Sequence, residues 1–105
     1  MRTILITGAS GGLAQEMVKL LPNDQLILLG RNKEKLGQLY GNHAHMEWIE
    51  IDITDDSALE TLVADLYLRY GKIDVLINNA GYGIFEEFDQ ISAQDIHQMF
   101  EVNTF

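Results

Sequence analysis

Three runs of the chain are apolar without alternation. Ile4-Leu5-Ile6 lies between Thr3 and Thr7, Leu26-Ile27-Leu28-Leu29 between Gln25 and Gly30, and Val75-Leu76-Ile77 closes a strand read from Ile73 to Ile77. Strands of this kind are buried on both faces. Met46 to Ile51 alternates more, with Glu47 and Glu50 set against Met46, Trp48 and Ile51, which predicts a half-covered strand at a sheet edge. Helical spacing fills the gaps. Leu13, Met17, Leu20 and Leu21 recur at i, i+4, i+7 and i+8, and Pro22-Asn23-Asp24 ends that segment. Asn32 is placed to cap a short helix carrying Leu36, Leu39 and Tyr40, with Gly41 as its stop. The longest stripe is Leu59, Leu62, Val63, Leu66, Tyr67 and Tyr70, closed by Gly71 and preceded by the acidic and capping residues Asp52 to Ser57. Within it, Ser57-Ala58-Leu59-Glu60 has the form of a capping box. Tyr82 to Ile91 reads as a loop, and a last helix from Ser92 or Ala93 carries Ile96, Met99, Phe100 and Val102.

The order is therefore β-α-β-α-β-α-β-α, which predicts an α/β fold with a parallel sheet covered on two sides. A chain of 105 residues, with no repeat and no linker, reads as one domain spanning residues 1–105. It has no cysteine, so disulfides and thiolate metal sites are excluded. With no leader and no apolar run near the ~20 residues of a membrane span, a cytoplasmic protein is expected. Lys and Arg total 7 against 16 Asp and Glu, a formal net charge of −9. That balance argues against nucleic acid and against anionic membranes as partners. An anionic ligand must be held by local groups.

Such groups collect in the turns that follow the strands, where ligands of open α/β sheets bind. Thr7-Gly8-Ala9-Ser10-Gly11-Gly12-Leu13-Ala14 joins the first strand to the first helix. Its small residues let backbone N–H groups approach a phosphate at a helix N-terminus, although small residues also build plain turns. Leu13-Ala14 stand where a mononucleotide loop needs Gly-Lys-Ser/Thr, which argues against an NTPase. After the second strand comes Gly30-Arg31, with no acid. An acid there would bond a ribose 2′-OH, whereas an arginine accommodates a 2′-phosphate, with the Ser10 hydroxyl as a second donor. The competing reading is a solvated arginine at a helix start. Asp52, after the third strand, can accept from an adenine amino group or simply cap a helix. Asn78-Asn79 end the fourth strand, where amides are unfavourable unless bonded, and Ala80-Gly81 leave room for a ribose. His43 and His45 read as a surface loop, His97 as the polar side of a helix, and Glu86, Glu87 and Asp89 as a solvated loop. No metal site and no carboxylate pair for hydrolysis emerges.

Together these residues resemble the short-chain dehydrogenase/reductase family. Thr7 to Ala14 is similar to its Thr-Gly-x-x-x-Gly-x-Gly motif with Ala14 for the last glycine, and Asn78-Asn79-Ala80-Gly81 matches its Asn-Asn-Ala-Gly signature. The resemblance implies a Rossmann-like doubly wound sheet, here with strand order 3-2-1-4 of a longer 3-2-1-4-5-6-7. It implies an oxidoreductase passing hydride between a carbonyl or alcohol and NADP, with NAD the second choice. The implied cofactor-binding residues are Gly8, Ser10, Gly11, Gly12, Leu13, Arg31, Asp52, Ile53, Asn79, Ala80 and Gly81. Asn103 matches the asparagine that supports a water in the family's proton relay. The family's catalytic serine and Tyr-x-x-x-Lys have no counterpart: Tyr40, Tyr67, Tyr70 and Tyr82 are followed four residues on by Ala44, Gly71, Asp74 and Glu86. The 105-residue chain alone is therefore expected to be inactive, its substrate is not legible, and a non-catalytic dinucleotide-binding or regulatory module ending at Phe105 is the alternative. The strand Ile73–Ile77 is expected to form an apolar sheet edge that, or else the last helix, pairs with a second copy.

Overall fold

The computed structural model describes residues 1–79 and the backbone of one further strand at residues 84–87. The uninterrupted apolar runs are strands β1 (Thr3–Thr7), β2 (Gln25–Gly30) and β4 (Val75–Asn78), and the alternating run is β3 (Met46–Glu50). Three helices connect them: α1 (Gly12–Lys19), α2 (Lys33–Tyr40) and α3 (Asp56–Tyr70). Strands β3, β2, β1 and β4 lie parallel in that order, as the alternation of strands and helices requires. Central β1 pairs with β2 from Thr3↔Gln25 to Ile6↔Leu28 and with β4 from Ile4↔Val75 to Thr7↔Asn78.

The strands are apolar at every position because each face meets a helix layer. Leu5, Ile27, Leu29 and Leu76 pack with Leu59, Val63 and Leu66 of α3. Ile4, Ile6, Leu26, Leu28, Val75 and Ile77 face the opposite way, toward Ala14 and Val18 of α1 and Leu36 and Tyr40 of α2. β3 is the half-covered edge that its alternation predicts. Its Glu47 accepts from Arg69 of α3 through both carboxylate oxygens, the Nη2–Oε2 distance being 2.6 Å, and Arg69 also reaches Asp65 at 2.8 Å.

Three expectations are corrected. The leucine stripe of α1 is rotated: Ala14 and Val18 are buried, Met17 and Leu21 half-buried, while Leu13 and Leu20 are exposed at 59% and 79%. Ala14 is fully buried in the layer that packs on the sheet, and the helix ends at Lys19, leaving Leu20 as its cap residue. Leu39 of α2 is likewise exposed, at 38%. The cap of α3 is Asp55, whose side chain accepts from the Ala58 N–H at 3.1 Å, so the helix begins ahead of the Ser57 capping box. Finally, the expected loop contains β5 (Ile84–Glu87), which runs antiparallel to β4 from Val75↔Glu87 to Asn78↔Ile84. Unpaired N–H and C=O groups on that side of β4 are thus taken up by the segment that follows it, and β4 is not a free edge. The last helix, the other surface named for self-association, lies outside the described residues.

The Arg69 hydrogen bonds hold the Glu47 carboxyl below its ordinary value of 4.5, against the opposing effect of burial. A carboxylate with a lowered value stabilises the fold above its unfolded pKa and loses that contribution as pH falls through its folded one. Both side chains are partly exposed, so the contribution is at most ~1 kcal/mol. Glu47→Gln should lower the urea midpoint at neutral pH, and the gap to the parent should shrink as pH falls below the ordinary carboxyl range. A gap independent of pH would show that the ion pair does not stabilise the fold.

Candidate cofactor site

The turn after β1 is shaped by Gly8, whose φ of +61° disfavours any side chain. The reversal sends Ala9 beneath the end of β2, where its N–H donates to the Leu29 carbonyl at 2.9 Å and its side chain is fully buried. The Gly11 N–H closes back on the Gly8 carbonyl at 3.2 Å, and Gly11 becomes the cap residue of α1. Having no side chain, Gly11 makes no side-chain cap bond. The other two helices are capped, α2 by Asn32 to the Lys35 N–H and α3 by Asp55 to the Ala58 N–H. The first-turn N–H groups of α1, at the positive end of its dipole, are thus left to an outside acceptor.

Packing among the described residues does not explain the glycines there. A Cβ on Gly12 would meet nothing within 4 Å, and one on Gly11 only the Gly8 carbonyl oxygen at an ordinary 3.5 Å. Gly30 is different, since a Cβ there would come within 3.1 Å of Leu36 Cδ2. The room at Gly11 and Gly12 is on the outside, where a ligand with phosphate oxygens would approach the backbone.

Beside this turn lies an open cleft of about 400 Å³ past the carboxyl ends of β1, β2 and β3, lined by Gly8, Ser10, Leu29, Gly30, Arg31, Ile51 and Ile53. Arg31 and Asp52 meet at its mouth, Nη2 to Oδ1 3.4 Å, both exposed. Asp52 does not cap α3, which disposes of that alternative. Its Oδ1 accepts from the Thr54 hydroxyl at 2.6 Å and the Thr54 N–H at 3.0 Å. These bonds, the Thr54 hydroxyl first and Arg31 last, hold its carboxyl below the ordinary value. Asp52 therefore keeps its charge and its position whether or not Arg31 stays beside it.

On the β4 side of β1, the Thr7 hydroxyl donates to Asn78 Oδ1 at 2.7 Å, a bond between two buried side chains that ties the strands together. The Asn79 N–H donates to the Thr7 carbonyl at 3.2 Å, and its Nδ2 lies 3.6 Å from Met17 Sδ. Asn79 Oδ1 is buried without a hydrogen-bond partner among the described residues.

Of the residues singled out by sequence, Gly8, Ser10, Arg31 and Ile53 share the cleft, with Asp52 bound to Arg31 at its mouth. Gly11, Gly12 and Leu13 form the exposed start of α1, and Asn79 sits beside the turn at the end of β4. Ala80, Gly81 and Asn103 lie outside the described residues. Sequence reasoning missed the lining residues Leu29 and Ile51, which their strand ends could have suggested. It also missed Tyr40, whose buried phenol donates to the Ala9 carbonyl.

The whole pattern has known counterparts. Residues 2–105 match the family model for short chain dehydrogenase. The chain belongs to the short-chain dehydrogenase family. An uncharacterized oxidoreductase of Schizosaccharomyces pombe is 34% identical over 103 residues, covering 96% of this chain and 34% of the relative. A short-chain dehydrogenase from Streptomyces avermitilis superposes with a TM-score of 0.71 at 31% identity, over 99% of this chain and 39% of that one. A metagenomic short-chain oxidoreductase solved in complex with NADP matches with a TM-score of 0.67 at 26% identity, over 77% of this chain and 39% of that one. The chain thus spans well under half the length of these family members, and the family-model match takes in all the turns described above.

Thr7→Val removes the hydroxyl that joins β1 to β4 while keeping the side-chain shape. It should cost ~1 kcal/mol in urea unfolding, the size of one net hydrogen bond. An unchanged midpoint would show that the bond contributes nothing to stability.

Proposed function

We infer that this chain is the dinucleotide-binding domain of an oxidoreductase, that it prefers NADP to NAD, and that the whole protein exchanges hydride with a carbonyl or alcohol. The observation carrying this reading is the start of α1, which has no side-chain cap and has glycines whose Cβ positions open outward. The Gly8–Gly12 turn would hold the pyrophosphate. The Asn79 Oδ1 acceptor, with Ala80 and Gly81, would flank a ribose, and Ile53 and Asp52 would meet the adenine, Asp52 accepting from its amino group. When bound, the nicotinamide supplies the hydride. Asn103 would support the water of a proton relay whose serine, tyrosine and lysine are not among these 105 residues.

The preference for NADP rests on Arg31 and Ser10 lining one cleft with no acid at the end of β2. A 2′-phosphate would draw Arg31 from Asp52, an exposed pair worth at most ~1 kcal/mol, and gain a charge-assisted bond that is stronger. A cytoplasmic location belongs to the same reading, supported by the absence of cysteine and the acidic charge.

Calorimetric titration with each cofactor tests it. NADP should bind more tightly than NAD, and equal affinities would overturn the preference. Arg31→Asp should weaken NADP about tenfold or more, the equivalent of ~1.4 kcal/mol or above, and leave NAD unchanged or improved.

Gly12→Ala separates binding from folding. Alanine is the better helix former and meets no neighbour, so stability should be unchanged or rise by up to ~1 kcal/mol. NADP affinity should nevertheless fall, because the new methyl occupies the approach to the turn. A variant that binds as well as the parent would remove the phosphate from this turn.

A further inference from the structure

The turn that would hold the pyrophosphate is gripped from behind by a side chain distant in sequence. Tyr40 ends α2 and is buried, packed in the same layer as Ala9 and Ala14. Its hydroxyl donates to the Ala9 carbonyl, 31 residues away in the chain. Burial pushes the phenol pKa up, so the group remains a protonated donor across the working pH range.

The consequence follows from peptide geometry. The Ala9–Ser10 peptide is trans, as no cis bond occurs among the described residues. In a planar trans peptide the C=O and the following N–H point in opposite directions. Fixing the Ala9 carbonyl inward on Tyr40 therefore turns the Ser10 N–H outward, on the side where Ser10 lines the cleft. The two bonds at Ala9, its N–H to Leu29 and its C=O to Tyr40, hold both peptide planes around that residue. From the opposite side, Gln15 Nε2 reaches the Ser10 carbonyl at 3.3 Å and the Gly11 carbonyl at 3.4 Å.

We propose that Tyr40 is a positioning residue for the phosphate-binding turn: its hydroxyl presets the Ala9–Ser10 peptide so that the Ser10 N–H is aimed at an incoming pyrophosphate. This rests on the dinucleotide reading for its ligand, while the preset itself is a property of the unliganded protein. A preset donor does not have to be reoriented on binding, which is how preorganisation strengthens affinity.

Tyr40→Phe keeps the ring and its packing and removes only the hydroxyl. In the unliganded protein, amide NMR should show a shifted Ser10 N–H resonance and faster exchange there, with Leu26–Leu29 of β2 unmoved. An unchanged Ser10 amide overturns the proposal. In calorimetry, NADP affinity should fall about five- to tenfold, the scale of one hydrogen bond. Affinity for adenosine, which lacks both the pyrophosphate and the 2′-phosphate assigned to Ser10 and Arg31, should be unchanged. Undiminished NADP affinity, or an equal loss for both ligands, overturns the proposal, since an equal loss reports general loosening. If the parent protein itself binds no NADP, the dinucleotide reading fails and the Ser10 amide still decides the role of Tyr40.

Discussion

Everything in this protein depends on β1 being surrounded. It has strand neighbours on both edges, β2 and β4, and helix layers on both faces, so its five residues are all buried. A strand so enclosed has its backbone bonds satisfied laterally and its side chains committed to two cores. It cannot slip by one residue without exchanging those faces. The chain must leave it at a fixed point, and that point is Gly8. The register of the central strand thus sets where the turn, the start of α1 and the cleft will be.

The turn inherits that fixity through backbone bonds to its surroundings. Ala9 is held to β2 by its N–H and to α2 by its carbonyl, so bonds to two other elements determine which way the turn faces. The parallel arrangement does the rest. It brings the ends of β2 and β3 beside the turn, and with them Arg31 and Asp52, which are 21 residues apart in sequence and form an ion pair in space. Neither residue is buried, and the pair has little value for stability. Their position is explained by topology.

The strands were legible because two-sided burial leaves an unbroken apolar run, as in Ile4-Leu5-Ile6 and Leu26 to Leu29. The site was legible in outline because its turns follow those strands, and Gly8, Ser10, Arg31 and Ile53 do line one cleft. What was hidden was non-local or steric. Leu13 and Leu20 have helical spacing, yet a helix packed closely on a sheet selects Ala14 and Val18 instead. β5 is only four residues long, and its pairing is decided by the open side of β4 and not by its own pattern. Tyr40 fits the apolar face of α2, and nothing in that periodicity reveals that its hydroxyl reaches the turn.

Glycine shows the same division at a single residue type. Gly30 answers to Leu36 and Gly37 to Trp48, each a neighbour that a methyl group would press. Gly12 answers to nothing among the described residues. A selection acting on folding alone would therefore keep Gly30 and let Gly12 drift to alanine, gaining helix propensity along the way. Glycine at position 12 forgoes helix propensity where no described neighbour requires it, so the bare backbone at the start of α1 is left open to solvent.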